Sequence, residues 1–180
     1  MRTRIGPGAR RRSRGQGLVE FSLVAPMLFI LILGILEAGR FIFYTQALNY
    51  AAREGARYAI VNGENSFNGC PSGPIEPSSD HSDCDPTGNR VRTWIEDTSF
   101  GVAGDGGLTF GWPGDEAFLT YTLPDGGSYS CRDNMPHTVG CNRQGYNVTV
   151  RLEYTYSPML DLGLIPVVTI RAETTLVINN

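Results

Sequence analysis

GQGLVEFSLVAPMLFILILGILEAGRFIFYTQALNYAAREGARYAIVNG, from Gly15 to Gly63, sets the architecture of this chain. Its centre, Phe21 to Leu36, runs 16 residues without a charge. At 1.5 Å per residue that is about 24 Å of helix, short for a hydrocarbon layer about 30 Å thick. Leu18 and Val19 before it, and Phe41, Ile42 and Phe43 after it, extend the stretch to spanning length. The extended stretch takes in Glu20 and Glu37. Arg40 stands near its far end and is long enough to snorkel. Pro26 is expected to bend the helix early in the run.

The charges on either side of this stretch differ in sign. The chain has no lysine, so all 15 of its cations are arginines. Arg2, Arg4, Arg10, Arg11, Arg12 and Arg14 precede the apolar run, with no acid among them. From Phe41 onward there are 8 arginines against 16 acidic residues. Arginine-rich flanks of a membrane helix stay in the cytoplasm. The expected organisation is therefore a basic cytoplasmic leader over 1–15, a transmembrane helix over 16–40 and an extracytoplasmic domain over 41–180. The acidic body argues against nucleic acid as a partner. A buried soluble helix fits the arginine-rich flank poorly. A cleaved secretory signal has the right leader and apolar region, but Leu36-Glu37-Ala38-Gly39 is not a small-x-small site and the helical pattern runs past it. An uncleaved or differently processed anchor fits best.

Gly15-Gln16-Gly17-Leu18-Val19-Glu20-Phe21 resembles the processing site of type IV prepilins of the Flp subclass. There a glycine precedes the cut, a glutamate stands five residues after it, and an aromatic follows. Gly15, Glu20 and Phe21 have that spacing. With the downstream AAREGARYA, the run from Gly15 to Gly63 resembles the TadE/TadG-like family of tight-adherence pilus assembly proteins, which are pseudopilin-like and membrane-anchored. The resemblance implies cleavage between Gly15 and Gln16 by a prepilin peptidase. It also implies pairing of Glu20 with the terminal amine of a neighbouring subunit. Such pairing would offset the cost of an anion in hydrocarbon, about 2.5–3.5 kcal/mol on insertion scales. The alternative for Glu20 is simple hydration at headgroup level. Beyond Gly63 no motif matches.

The helical period continues through Tyr44, Leu48, Ala51, Ala52, Gly55 and Ala59. Ala47, Ala51, Gly55 and Ala59 form a row of small residues at i+4 spacing, which lets another backbone come close. That partner is the protein's own sheet or a neighbouring subunit's helix, and both can hold on different faces. Asn62-Gly63 supplies the stop.

The body reads as α+β. Residues 41–62 continue the long helix and 63–85 form a polar loop. A short helix follows Asp85-Pro86, with Val91, Trp94 and Ile95 on one face. Thr98 to Gly114 is glycine-rich and only weakly strand-like. An antiparallel sheet of about three to four strands completes the domain. Its strands are Ala117–Leu123, Tyr146–Tyr156 and Val167–Ile178, the last two with clear period-two alternation. The loop between them carries Leu160, Leu162, Leu164 and Ile165, apolar enough to pack on the core or dip toward the bilayer.

Cys70, Cys84, Cys131 and Cys141 all fall on the extracytoplasmic side, where disulfides form. Three connectivities are possible. Cys70–Cys84 and Cys131–Cys141 are preferred, because each closes a hydrophilic loop with little core of its own. The spacings are not those of a zinc finger, and only His81 and His137 accompany them. Asp80 to Asp85 gathers acids and a histidine but lacks calcium-loop spacing. The glycine pairs are not phosphate loops, and no nucleophile motif is present. No enzyme activity, metal or cofactor is expected. The expected role is a single-pass pilin-like subunit or assembly factor of a bacterial adhesive pilus. Its expected partners are membrane lipid, pilus or secretion-machinery subunits and, if it is processed, a prepilin peptidase. The alternative is an anchored extracytoplasmic module that binds a ligand or an envelope partner and has no pilus role.

Overall fold

The computed structural model describes residues 15–63, 88–99, 101–104, 106–112, 118–123, 130–132, 144–159 and 166–179. The chain divides into two compact units, Met1–Gly39 and Arg40–Asn180. One helix, α1 (Gln16–Val61, 46 residues), contributes to both, and Pro26 lies inside it without ending it.

Within the first unit, α1 carries large apolar side chains on every side. Leu18, Leu23, Met27, Ile30, Leu31 and Ile35 are all exposed. A helix that is apolar all round needs an apolar solvent or a protein cover.

The second unit is α+β. The rest of α1 and α2 (Asn89–Thr98) accompany β1 (Leu108–Phe110), β2 (Leu119–Thr122), β3 (Ser130–Arg132), β4 (Asn147–Tyr156) and β5 (Val168–Val177). The pairings are antiparallel throughout. β4 is the hub. One of its edges pairs with β5 over its whole length, from Asn147 opposite Val177 to Tyr156 opposite Val168. The other edge is shared. Its first half pairs with β2, which in turn pairs with β3, and its second half pairs with β1. The handover falls at Arg151, whose N–H donates to the Phe118 carbonyl (2.8 Å) and whose carbonyl accepts from the Gly111 N–H (3.0 Å).

The period-two pattern of β4 puts Val148, Val150, Leu152, Tyr154 and Tyr156 on one face, and all five are buried. They form the core with Leu48, Ala51, Ala52, Ala56 and Ala59 of α1 and Val91 and Ile95 of α2. Trp94 sits at the rim of that α2 face, 41% exposed, with its ring stacked on Tyr58 of α1 at 5.1 Å. Gly88, at the N-cap of α2, has φ +73°, and a Cβ there would meet Leu119 Cδ2 at 2.7 Å. Glycine satisfies both constraints.

The opposite sheet face carries the polar residues of the alternation, but it is not simply hydrated. Thr120, Thr149 and Glu153 are buried. Thr149 and Thr175 share a hydroxyl hydrogen bond of 2.8 Å. The Arg151 guanidinium donates to Glu173 at 3.0 Å, and that of Arg171 donates to Glu153 at 2.9 Å. Both guanidinium groups lie over the Trp112 ring, at 5.5 and 5.4 Å from its centroid.

Candidate functional site

The candidate site is α1 itself, because the residues singled out from the sequence are strung along it. At its start, the Val19 N–H donates to the Gly15 carbonyl at 3.2 Å, so Gly15 closes the first helical turn. The Gln16 side-chain amide donates to Glu20 Oε1 at 3.3 Å, one turn on. Gly15, Gln16, Glu20 and Phe21 are all exposed, and space around Gly15 and Gly17 is open. The Ser22 hydroxyl is satisfied by the Val19 carbonyl at 2.8 Å, which removes a polar group from the apolar surface that follows. The arginines of the leader, residues 1–14, lie outside the described residues. α1 is long and apolar enough to cross a membrane, and none of its most apolar window is buried.

The other half of α1 meets different surroundings. Tyr44 stacks on Tyr154 of β4 at 4.9 Å with the rings 12° apart, and it meets Tyr156 edge-on at 5.6 Å. Phe41 meets Tyr156 edge-on at 5.5 Å. Of the small-residue row, Ala51, Gly55 and Ala59 are buried and Ala47 is partly buried. A Cβ on Gly55 would lie 2.5 Å from Ile95 Cδ1 and 3.6 Å from Val150 Cγ1. The close approach at this position is therefore to α2 and β4 of the same chain. Arg53 and Arg57 point away from that contact and are exposed, with Arg57 donating to Glu54 at 2.9 Å.

Among the described residues, no group of three or more His, Cys, Asp or Glu gathers as metal ligands would. Both histidines, Cys70, Cys84 and Cys141, and the side chain of Cys131 lie outside the described residues, as do both proposed disulfides. The backbone of Cys131 lies in β3, opposite Tyr121.

Two groupings go beyond what the sequence revealed. The Phe41–Tyr44–Tyr154–Tyr156 cluster joins residues far apart in the chain. The aromatic residues at the end of β4 were its only advance sign. Trp112 lies in the glycine-rich stretch that read as weakly strand-like, and its place over two arginines depends on the β1–β4 pairing.

No curated protein and no solved structure matches this chain. A family model does match, over residues 15–57, and its description is TadE-like protein. The match begins at the glycine that opens α1 and ends within the part of α1 that packs on the sheet, so the similarity to TadE-like proteins is confined to this amino-terminal segment.

Proposed function

We propose that this protein is a membrane-anchored, pilin-like subunit or assembly factor of a tight-adherence pilus. It acts through helix packing and protein contacts, without turnover. The observation that supports this reading is the form of α1. It is one helix of 46 residues, bare and apolar in its first part and built into a folded domain in its second, and the TadE-like match falls on both parts.

The topology follows from the charges. The arginines of residues 1–14 stay in the cytoplasm, and the acidic body lies on the other side of a bacterial cell membrane. A prepilin peptidase then cuts between Gly15 and Gln16 and removes the basic leader. The new ammonium group at Gln16 stands one helical turn from Glu20, whose carboxylate already accepts from the Gln16 amide. Glu20 thus gains a cationic partner from its own subunit or a neighbour at the edge of the hydrocarbon, where a lone carboxylate is costly.

N-terminal mass analysis of chain recovered from membranes containing a prepilin peptidase tests the processing step. A chain starting at Gln16 is expected, and one still starting at Met1 contradicts it. Affinity purification of the tagged chain tests the partners. Recovery of pilus or secretion-machinery subunits is expected. Recovery of only an unrelated envelope protein or ligand would favour the binding-module alternative.

A further inference from the structure

The strand β5 leaves one edge open. It pairs with β4 on one side, and among the described residues no strand pairs with it on the other. The Ile178 N–H donates to the Tyr146 carbonyl at 2.8 Å, so residue 178 turns its backbone groups toward β4. Backbone direction alternates along an antiparallel strand, so Val168, Ile170, Ala172, Thr174 and Leu176 do the same. Thr169, Arg171, Glu173, Thr175 and Val177 therefore turn their N–H and C=O groups to the open edge, and all five are exposed. Natural sheets blunt such edges with lysine, proline, a bulge or short length. This edge is ten residues long, contains no lysine or proline, and its ladder with β4 runs residue for residue without a bulge.

The sequence of this edge is close to its own reverse. VVTIRAETTLV, from Val167 to Val177, is centred on Ala172. Residues equidistant from the centre match: Val167 with Val177, Val168 with Leu176, Thr169 with Thr175, and Arg171 with Glu173, which have opposite charge. Only Ile170 and Thr174 differ in character. Two antiparallel copies of such a strand are complementary to each other.

We propose that the open edge of β5 pairs with β5 of a second copy of this chain, antiparallel, about a two-fold axis at Ala172. Every residue involved belongs to the second unit, so the pairing does not depend on where the first half of α1 lies. In this register the outward-facing residues meet as hydrogen-bonded pairs, Thr169 with Thr175 and Arg171 with Glu173, each exchanging both backbone bonds. Ala172 meets its copy at a non-hydrogen-bonded position, where Cα atoms approach to about 4.5 Å and small side chains fit. Arg171 already binds Glu153, and Glu173 binds Arg151. One row of the joined sheet then reads Glu153, Arg171, Glu173 of the second copy and Arg151 of the second copy, with the sign alternating at every step. A second row is threonine throughout, Thr149 and Thr175 followed by Thr169 and Thr155 of the second copy. Opposite charges and paired threonines across strands stabilise a sheet, and like charges directly opposite destabilise it. Moving the axis one residue either way sets Arg171 against Arg171 or Glu173 against Glu173, so the charges select a single register.

The test uses the full chain in detergent micelles, which leave two bodies free to meet in either orientation. The photoreactive residue p-benzoylphenylalanine replaces the exposed Val177. Within one chain, residues 167 and 177 stand about 33 Å apart at opposite ends of the strand, and in the pair they are adjacent. The expected product on illumination is a dimer whose cross-link, mapped by mass spectrometry, joins residue 177 to the Val167 end of β5. Thr169→Pro removes an outward N–H and leaves the β4–β5 bonds in place, so it should abolish the dimer while tryptophan emission still reports a folded body. Thr169→Val keeps the N–H and should keep the dimer. Arg171→Glu and Glu173→Arg chains should each lose most of the dimer alone and regain it when mixed, because only the mixture sets opposite charges against each other. A chain that stays monomeric, a dimer joined elsewhere, an adduct with a different protein, or a mixture that fails to recover the dimer overturns the pairing. So does a dimer that survives Thr169→Pro.

Discussion

The two halves of α1 are made by one continuous helical backbone but differ in what their side chains meet. From Leu18 to Leu36 the helix is clothed in Leu, Ile, Val, Phe and Met on every side, and these side chains are exposed. From Arg40 to Val61 Ile42, Phe43, Tyr50 and Val61 are still exposed, but Leu48 and the small residues Ala51, Ala52, Gly55, Ala56 and Ala59 are buried, and Arg53 and Arg57 are exposed. The large apolar side chains of the first half are exposed, so side-chain burial adds little to its stability. The second half draws its stability from Leu48, Ala51, Ala52 and Gly55 packed on β4 and α2. An apolar helix and a packed helix are thus told apart by where the small residues fall, since both are rich in hydrophobic residues.

Matched substitutions in the two halves test this difference. Both tryptophans lie in the body, so their fluorescence follows its unfolding in detergent micelles. Leu48→Ala, at a fully buried position, should lower the body's stability by about 2–5 kcal/mol. Leu31→Ala, the same deletion at an exposed position of the first half, should leave that transition unmoved. Equal losses from both would mean that the first half also packs on protein.

Gly55→Leu and Gly34→Leu form the next pair. At Gly55 any side chain collides with the buried Ile95, and overpacking of this kind costs about 1–3 kcal/mol. Around Gly34 nothing lies within 4 Å, so denaturant titration should show no destabilisation there.

Smaller effects are expected on the outer sheet face. Arg171→Ala removes the described partner of the nearly buried Glu153 carboxylate and should cost about 1–3 kcal/mol in the same titration. Least of all, a double-mutant cycle on Glu54 and Arg57, an i,i+3 pair with Arg57 largely exposed, should return about 0.2–0.5 kcal/mol, falling with added salt.

The parts of the fold that announce themselves in the sequence are those with long, unbroken periods. α1 has a 3.6-residue period over its second half and an uncharged run over its first. β4 and β5 each alternate over ten residues. Leu119–Thr122 was also readable, as the middle of AFLTYTL. β1 and β3 are three residues each, too short to carry a period, and they exist because an edge of β4 or β2 is there to pair with. The alternation of β4 sorted its residues onto the correct faces. It did not foretell that Thr149 and Glu153 would be buried, because that depends on which side chains of β5 and of the Trp112 turn lie across them. The amino-terminal motif was readable because it is a local spacing, Gly15 to Glu20 to Phe21. The small-residue row could be read as an interface but not assigned a partner. The identity of that partner is a tertiary fact, supplied by Ile95 and Val150.

The account stands on the first half of α1 lying in lipid. Flotation of the full-length chain with liposomes after alkaline carbonate extraction measures this directly. The chain should rise with the lipid and stay there through the carbonate wash. Recovery as a dispersed monomer in the lipid-free fraction, soluble without detergent, would contradict it.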